Sequence, residues 1–164
     1  MNPALLSSKR LDWETPPDVV ELVAQLCDYG IGLDPAGSES GRLISRYRNW
    51  TREGTTRDWL GCGLVYCNPP YGREIVKWVA HGALCFEKRV DDLDQLCMLV
   101  PARTDTRWWQ YYAVKADAIC FWRGRISFVG AENGATFPSA FLYFGASDAR
   151  FERVFAPRGW LVRP

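Results

Sequence analysis

The chain has 164 residues, 48% of them hydrophobic, with eight Trp, seven Tyr and eight Phe, and a formal net charge of +1. That length and apolar content exclude disorder and predict one packed domain over residues 1–164, burying about 70% of its unfolded surface. The near-neutral charge excludes a strong overall pull on nucleic acid, so such binding must rest on local patches.

Residues 1–10 are expected to fray, and they lack the apolar core of a signal peptide. No apolar run is long enough to span a membrane, which predicts a cytoplasmic protein with no membrane partner. Thr15-Pro16-Pro17-Asp18 reads as a helix start with Thr15 as cap, proline in the first turn and Trp13 as an apolar staple. Val19, Val20, Leu22, Val23 and Leu26 then recur at helical spacing up to about Asp28. In Gly30-Ile31-Gly32-Leu33-Asp34-Pro35-Ala36-Gly37 a short strand ends in an acid, then proline, a small residue and glycine. The carboxyl edge of a parallel sheet is where α/β proteins bind ligands, so Asp34 is either a ligand contact or a turn cap.

Residues 42–57 carry Arg42, Arg46, Arg48, Arg52 and Arg57 against one acid, Glu53. This segment is a solvated surface or a phosphate contact, since arginines position a duplex without reading its sequence. Asp58-Trp59 closes it. The six cysteines form no Cys-x-x-Cys, His81 is the only histidine, and several sit in apolar runs such as Cys97-Met98-Leu99-Val100. Buried free thiols follow, with neither disulfide nor metal.

The run Leu64-Val65-Tyr66-Cys67 reads as a buried strand leading into Asn68-Pro69-Pro70-Tyr71. Each proline fixes its own φ and pushes the residue before it to an extended conformation. A side-chain amide and the Pro69 carbonyl therefore project from a strand end, with an aromatic ring following and Gly72 turning into a helix from Glu74 to about Lys88. A rigid pair of acceptors beside a ring suits a planar amine. If Asn68 Oδ1 and the Pro69 carbonyl each accept one N–H, the nitrogen becomes more pyramidal and its lone pair turns toward an electrophile. Preorganised dipoles then stabilise the developing positive charge without a strong base. A base stacked on Tyr71 adds about 1–3 kcal/mol.

Further on, strand Leu96 to Val100 ends at Pro101-Ala102-Arg103-Thr104-Asp105-Thr106, before a helix from Arg107 to Ala113 in which Trp108 and Trp109 read as core. Ala118 to Trp122 and Pro138 to Phe144 are late apolar strands joined by Arg123-Gly124-Arg125-Ile126-Ser127-Phe128 and a glycine-containing loop. Arg123 and Arg125 read equally as DNA contacts or a solvated edge. The tail Trp160-Leu161-Val162 is expected to pack back on the sheet.

Asn-Pro-Pro-Tyr resembles motif IV of the amino-methyltransferases that use S-adenosylmethionine. Six blocks occur in order: Trp13 to Pro16, Leu33 to Ala36, Asp58-Trp59, Cys67 to Gly72, Pro101 to Thr106 and Arg123 to Phe128. Together they resemble the small phage DNA N6-adenine methyltransferases of the Dam type, over roughly residues 11–145.

The resemblance implies an α/β Rossmann-like fold: a mostly parallel central sheet with a C-terminal antiparallel hairpin and helices on both faces. It implies S-adenosyl-L-methionine as cofactor, double-stranded DNA as partner, no metal, and a phage or prophage origin in a bacterial cytoplasm. Asn68, Pro69, Pro70 and Tyr71 become the catalytic set. Trp13, Thr15, Pro16, Asp34, Pro35, Ala36, Asp58 and Asn68 become cofactor contacts, with Asp58 accepting from the cofactor's adenine amine. Tyr71, Arg103, Asp105, Arg46 and Arg48 face the base or the DNA. Gly37-Ser38-Glu39-Ser40-Gly41 departs from the usual Asp-Pro-x-x-Gly-x-Gly loop. The chain has no room for a separate target-recognition domain, so it discriminates sequence modestly or shares the task in a homodimer. The same motif chemistry serves RNA adenine and protein glutamine, and an inactive DNA-binding relative would keep the fold without turnover.

Overall fold

Pro16 and Pro17 decide where the first helix starts. In the computed structural model, which describes residues 13–37, 48–49, 54–59, 63–88, 94–131 and 134–164, Pro16 is extended at φ −61° and ψ 146°. Its carbonyl accepts the Val19 and Val20 N–H groups at 3.1 and 3.0 Å, and helix α1 runs Pro17–Ala24. Two expectations are corrected by this helix. Thr15 is not the cap, because its hydroxyl is bonded elsewhere, and the helix stops at Ala24 rather than near Asp28.

The remaining elements are β1 (Ile31–Asp34), β2 (Arg48–Asn49), β3 (Leu64–Cys67), α2 (Ile75–Glu87), β4 (Gln95–Pro101), α3 (Arg107–Tyr111), a 3-10 turn (Ala113–Lys115), β5 (Ala118–Trp122), β6 (Ser139–Gly145), α4 (Asp148–Phe155) and β7 (Gly159–Val162). The strands form one sheet in the order β2-β1-β3-β4-β6-β5-β7. Pairs β1–β2, β1–β3 and β3–β4 are parallel, whereas β4–β6, β5–β6 and β5–β7 are antiparallel. The expected mostly parallel sheet is therefore only half parallel. Among the described residues no helix lies between β5 and β6, whose pairing is antiparallel, and α4 then carries the chain over β5 to leave β7 on the outer edge.

Adjacent strand residues point to opposite faces. Tyr143 stacks on Phe151 of α4 at 4.9 Å between ring centroids, while Phe144 meets Phe86 of α2 at 5.8 Å. Helices α4 and α2 thus cover opposite faces. The Arg150 guanidinium bonds the Gln25 carbonyl and the Asp28 carboxylate, each at 2.7 Å, which ties the end of α1 to the α4 side. With both faces covered, β3 reads as an unbroken apolar run, and all four of its residues are fully buried. Trp108 and Trp109 lie in the core, and the tail pairs as β7 with β5. Cys27, Cys67, Cys85, Cys97 and Cys120 are free thiols. Cys62 lies outside the described residues. Among the described residues no helix is long and apolar enough to cross a membrane.

Candidate active site

The parallel half of the sheet delivers three polar stretches to one edge: Asp34-Pro35 after β1, Asn68 to Tyr71 after β3, and residues 102–105 after β4. Strand β3 stops where Pro69 and Pro70 remove the ladder donors. Gly72, at φ 131°, then turns the chain into α2, a conformation that a side chain would strain.

Asn68 is wired in one orientation. Its Nδ2 donates to the Trp13 carbonyl and, at 3.1 Å, to Thr15 Oγ1. Only an N–H can face that carbonyl, so the amide cannot be turned over. Its Oδ1 is left buried and accepts no hydrogen bond among the described residues. Leaving a buried acceptor unsatisfied costs about 1–3 kcal/mol unless a donor reaches it. Thr15 Oγ1 also lies 2.8 Å from the Tyr66 hydroxyl, and Thr15 and Tyr66 are both buried. Burial raises the Tyr66 phenol well above its ordinary range, so it stays a neutral hydroxyl that anchors Thr15.

Tyr71 is 3% exposed, and its hydroxyl donates to the Leu99 carbonyl at 3.3 Å. Its ring packs edge-to-face with Phe137 at 5.2 Å and Phe128 at 6.2 Å, and the Trp13 ring meets the same two phenylalanines at 5.8 and 5.4 Å. The chain after β5 is brought to this cluster by the Val129 N–H, which donates to the Glu14 carbonyl at 3.0 Å. Trp13, Tyr71, Phe128 and Phe137 therefore form one aromatic cluster, and the main chain of Trp13 joins it to the Asn68 amide.

Asp34 ends β1 at 6% exposure. Its Oδ1 accepts the Ala36 N–H at 3.1 Å, but burial outweighs that single bond and pushes its carboxyl up to about 7. Pro16 and Pro35 are buried, and Ala36, next to Pro35, is half-buried. Burial, with Asp34 nearby, also raises the Cys67 thiol far above its usual value, so it is an inert core group.

The other expected residues are less closely gathered. Arg103 and Asp105 are exposed on the loop after β4, whose Ala102 N–H donates to the Pro138 carbonyl at 2.8 Å. Asp58 is exposed and lies beside His81 and Cys85 of α2. Arg46 and the side chain of Arg48 lie outside the described residues; the Arg48 backbone pairs with Leu33. Sequence reasoning missed Tyr66, Phe128 and Phe137 as parts of the site. The block Arg123 to Phe128 held a signal for Phe128; Tyr66 looked like any strand residue.

A mixed sheet with helices on both faces, and parallel strands that end in a fixed acceptor and a buried carboxyl, define the class, an α/β protein. Over residues 3–141 the chain matches the DNA N-6-adenine-methyltransferase (Dam) family, and it belongs to that family. Comparison with curated proteins and with solved structures gives no match.

Proposed function

We propose that this chain transfers the methyl group of S-adenosylmethionine to the N6 amine of adenine in double-stranded DNA, acting on a base turned out of the stack. The observation that carries this reading is Asn68 Oδ1: buried, unpartnered, and fixed in direction by the two acceptors that hold its amide nitrogen. It takes one N–H of the target amine and the Pro69 carbonyl takes the other. The nitrogen lone pair is left facing an electrophile, and the preorganised dipoles meet the positive charge as it develops.

S-adenosylmethionine supplies a methyl group on a positively charged sulfur. The residues at the edge fit such a cofactor: Asp34 offers a buried carboxyl that gains from any cation or hydroxyl brought to it, with Pro35 and Ala36 following it after β1 and Trp13, Thr15 and Pro16 standing before α1. Pro70 fixes the backbone between amide and ring. Tyr71 stacks on the base once Phe137, its nearest aromatic neighbour, gives way. Extruding the base costs a few kcal/mol, which stacking of about 1–3 kcal/mol partly offsets. Exposed Arg103 and Asp105 meet the DNA beside the pocket.

Labelled methyl transfer to unmethylated duplex DNA, with nucleoside analysis, tests the reading. N6-methyladenine is the expected product, and its rate of formation should fall by about 10²–10³ in Asn68→Ala while cofactor binding persists. Cofactor binding without label in DNA would move the substrate to RNA adenine or a protein amide.

A further inference from the structure

Away from the sheet edge, the fold assembles a second group of chemical side chains. Residues 54–59 run along the flank of α2. Trp59 is fully buried, with its indole N–H donating to the Gly54 carbonyl, and its ring lies so close to Gly82 that an added Cβ would come within 2.5 Å of it. This contact sets Asp58 against the helix. His81 and Cys85, one turn apart on α2, face the same place. One ligand atom from each of Asp58, His81 and Cys85 lies within 4.8 Å of the others.

From this arrangement we propose that Asp58, His81 and Cys85 form a binding site for a zinc ion, which clamps the segment leading into β3 to the helix leading out of it. One further observation points the same way. Cys85 Sγ lies 3.4 Å from His81 Nε2. A tetrahedral zinc with bonds of about 2.3 Å to sulfur and about 2.0 Å to nitrogen holds those two atoms about 3.5 Å apart. His81 Nε2 lies 2.7 Å from the Arg57 carbonyl, where a ring proton on Nε2 points; zinc at about 2.0 Å from Nε2 replaces that proton only as the carbonyl turns aside. On binding, that proton moves to Nδ1 by tautomerisation, the Cys85 thiol releases its proton to solvent, and zinc bonds form to sulfur, Nε2 and a carboxylate oxygen. A water completes the four ligands. A cysteine nucleophile activated by His81 is disfavoured, because Cys85 is only 3% exposed.

Titration of the full-length protein with Co²⁺ tests this. One equivalent should give a thiolate-to-cobalt absorption band in the near ultraviolet with the visible bands of a tetrahedral ion, and Zn²⁺ should abolish both by displacement. Cys85→Ala and His81→Ala should lose the spectrum, and Asp58→Asn should weaken cobalt binding about tenfold, since water can replace an exposed carboxylate. Zinc should raise the melting temperature of the wild type but not of Cys85→Ala, whose own metal-free melt shows that it folds. No cobalt band in the wild type, or a band that survives Cys85→Ala, overturns the site. So does Asp58→Asn with unchanged metal affinity and lost S-adenosylmethionine affinity, which would return Asp58 to the cofactor.

Discussion

The ends of β1 and β3 lie side by side and carry the same device, a polar side chain followed by proline, yet they are wired in opposite senses. Asp34 is a buried acid with one backbone donor for its carboxylate, too few to keep it ionised at ordinary carboxylate pH. Asn68 has its amide nitrogen committed to Trp13 and Thr15, and one acceptor left open. The first end answers to charge and pH. The second presents a fixed dipole that no change of pH alters. Methyl transfer to an amine needs both: a place that welcomes a cation, and an acceptor that does not move.

The largest expected effect comes from removing the fixed acceptor. Asn68→Ala should lower kcat by about 10²–10³, the scale of one preorganised hydrogen bond at a developing charge, with S-adenosylmethionine affinity changed only a few-fold. Steady-state kinetics beside calorimetry separate the two, and an equal loss of both would mean that Asn68 does not act on the target amine.

Turning the β3 end into a copy of the β1 end is the sharper version. Asn68→Asp keeps an acceptor but sets an oxygen against the Trp13 carbonyl, where only a donor fits. Turnover should fall on the order of 10–100-fold, about 1.4–2.7 kcal/mol. Full activity would mean that the amide's donors do not set its direction.

At the β1 end the probe is pH. The Asp34 pKa is raised from 3.8 to about 7, so the unfolded chain gives up this proton before the folded one does. Its contribution to stability is complete below about pH 4 and is lost as pH rises through about 7. The cofactor-free melting temperature should therefore fall between about pH 4 and pH 7 and level off above, and Asp34→Asn should flatten that slope. A cofactor that donates to Asp34 favours the ionised form, so its affinity should rise up to about tenfold per pH unit below about 7 and level off above. Calorimetry across this range reads it directly.

The smallest effect lies one bond behind Asn68. Tyr66→Phe removes only the hydroxyl that anchors Thr15, and should reduce kcat about fivefold, near 1 kcal/mol, without altering cofactor affinity. Unchanged turnover would show that Thr15 needs no anchor.

Much of this site could be read from the sequence because its parts are local. A strand, two prolines, an aromatic and a glycine dictate a turn by their own backbone limits, wherever the chain lies. The antiparallel half was harder to read, since Ser139–Gly145 is as apolar as a parallel strand and only the missing crossover helix fixes its direction. Thr15 looked like a helix cap because capping is what a threonine before Pro-Pro-Asp does most easily. The structure gives its hydroxyl to Tyr66, a partner 51 residues away that no local rule supplies.

By itself the sequence determined the family, through ordered blocks that resemble it, and the α/β class and the turn at Asn68 to Tyr71, through hydrophobic period and backbone restriction. Tertiary structure alone decided which oxygen of the site stays open, which aromatics surround Tyr71, and that Asp58, His81 and Cys85 meet. The reason is physical. Burial, desolvation and the pairing of donors with acceptors depend on groups far apart in the chain, and they exist only once it has closed on itself.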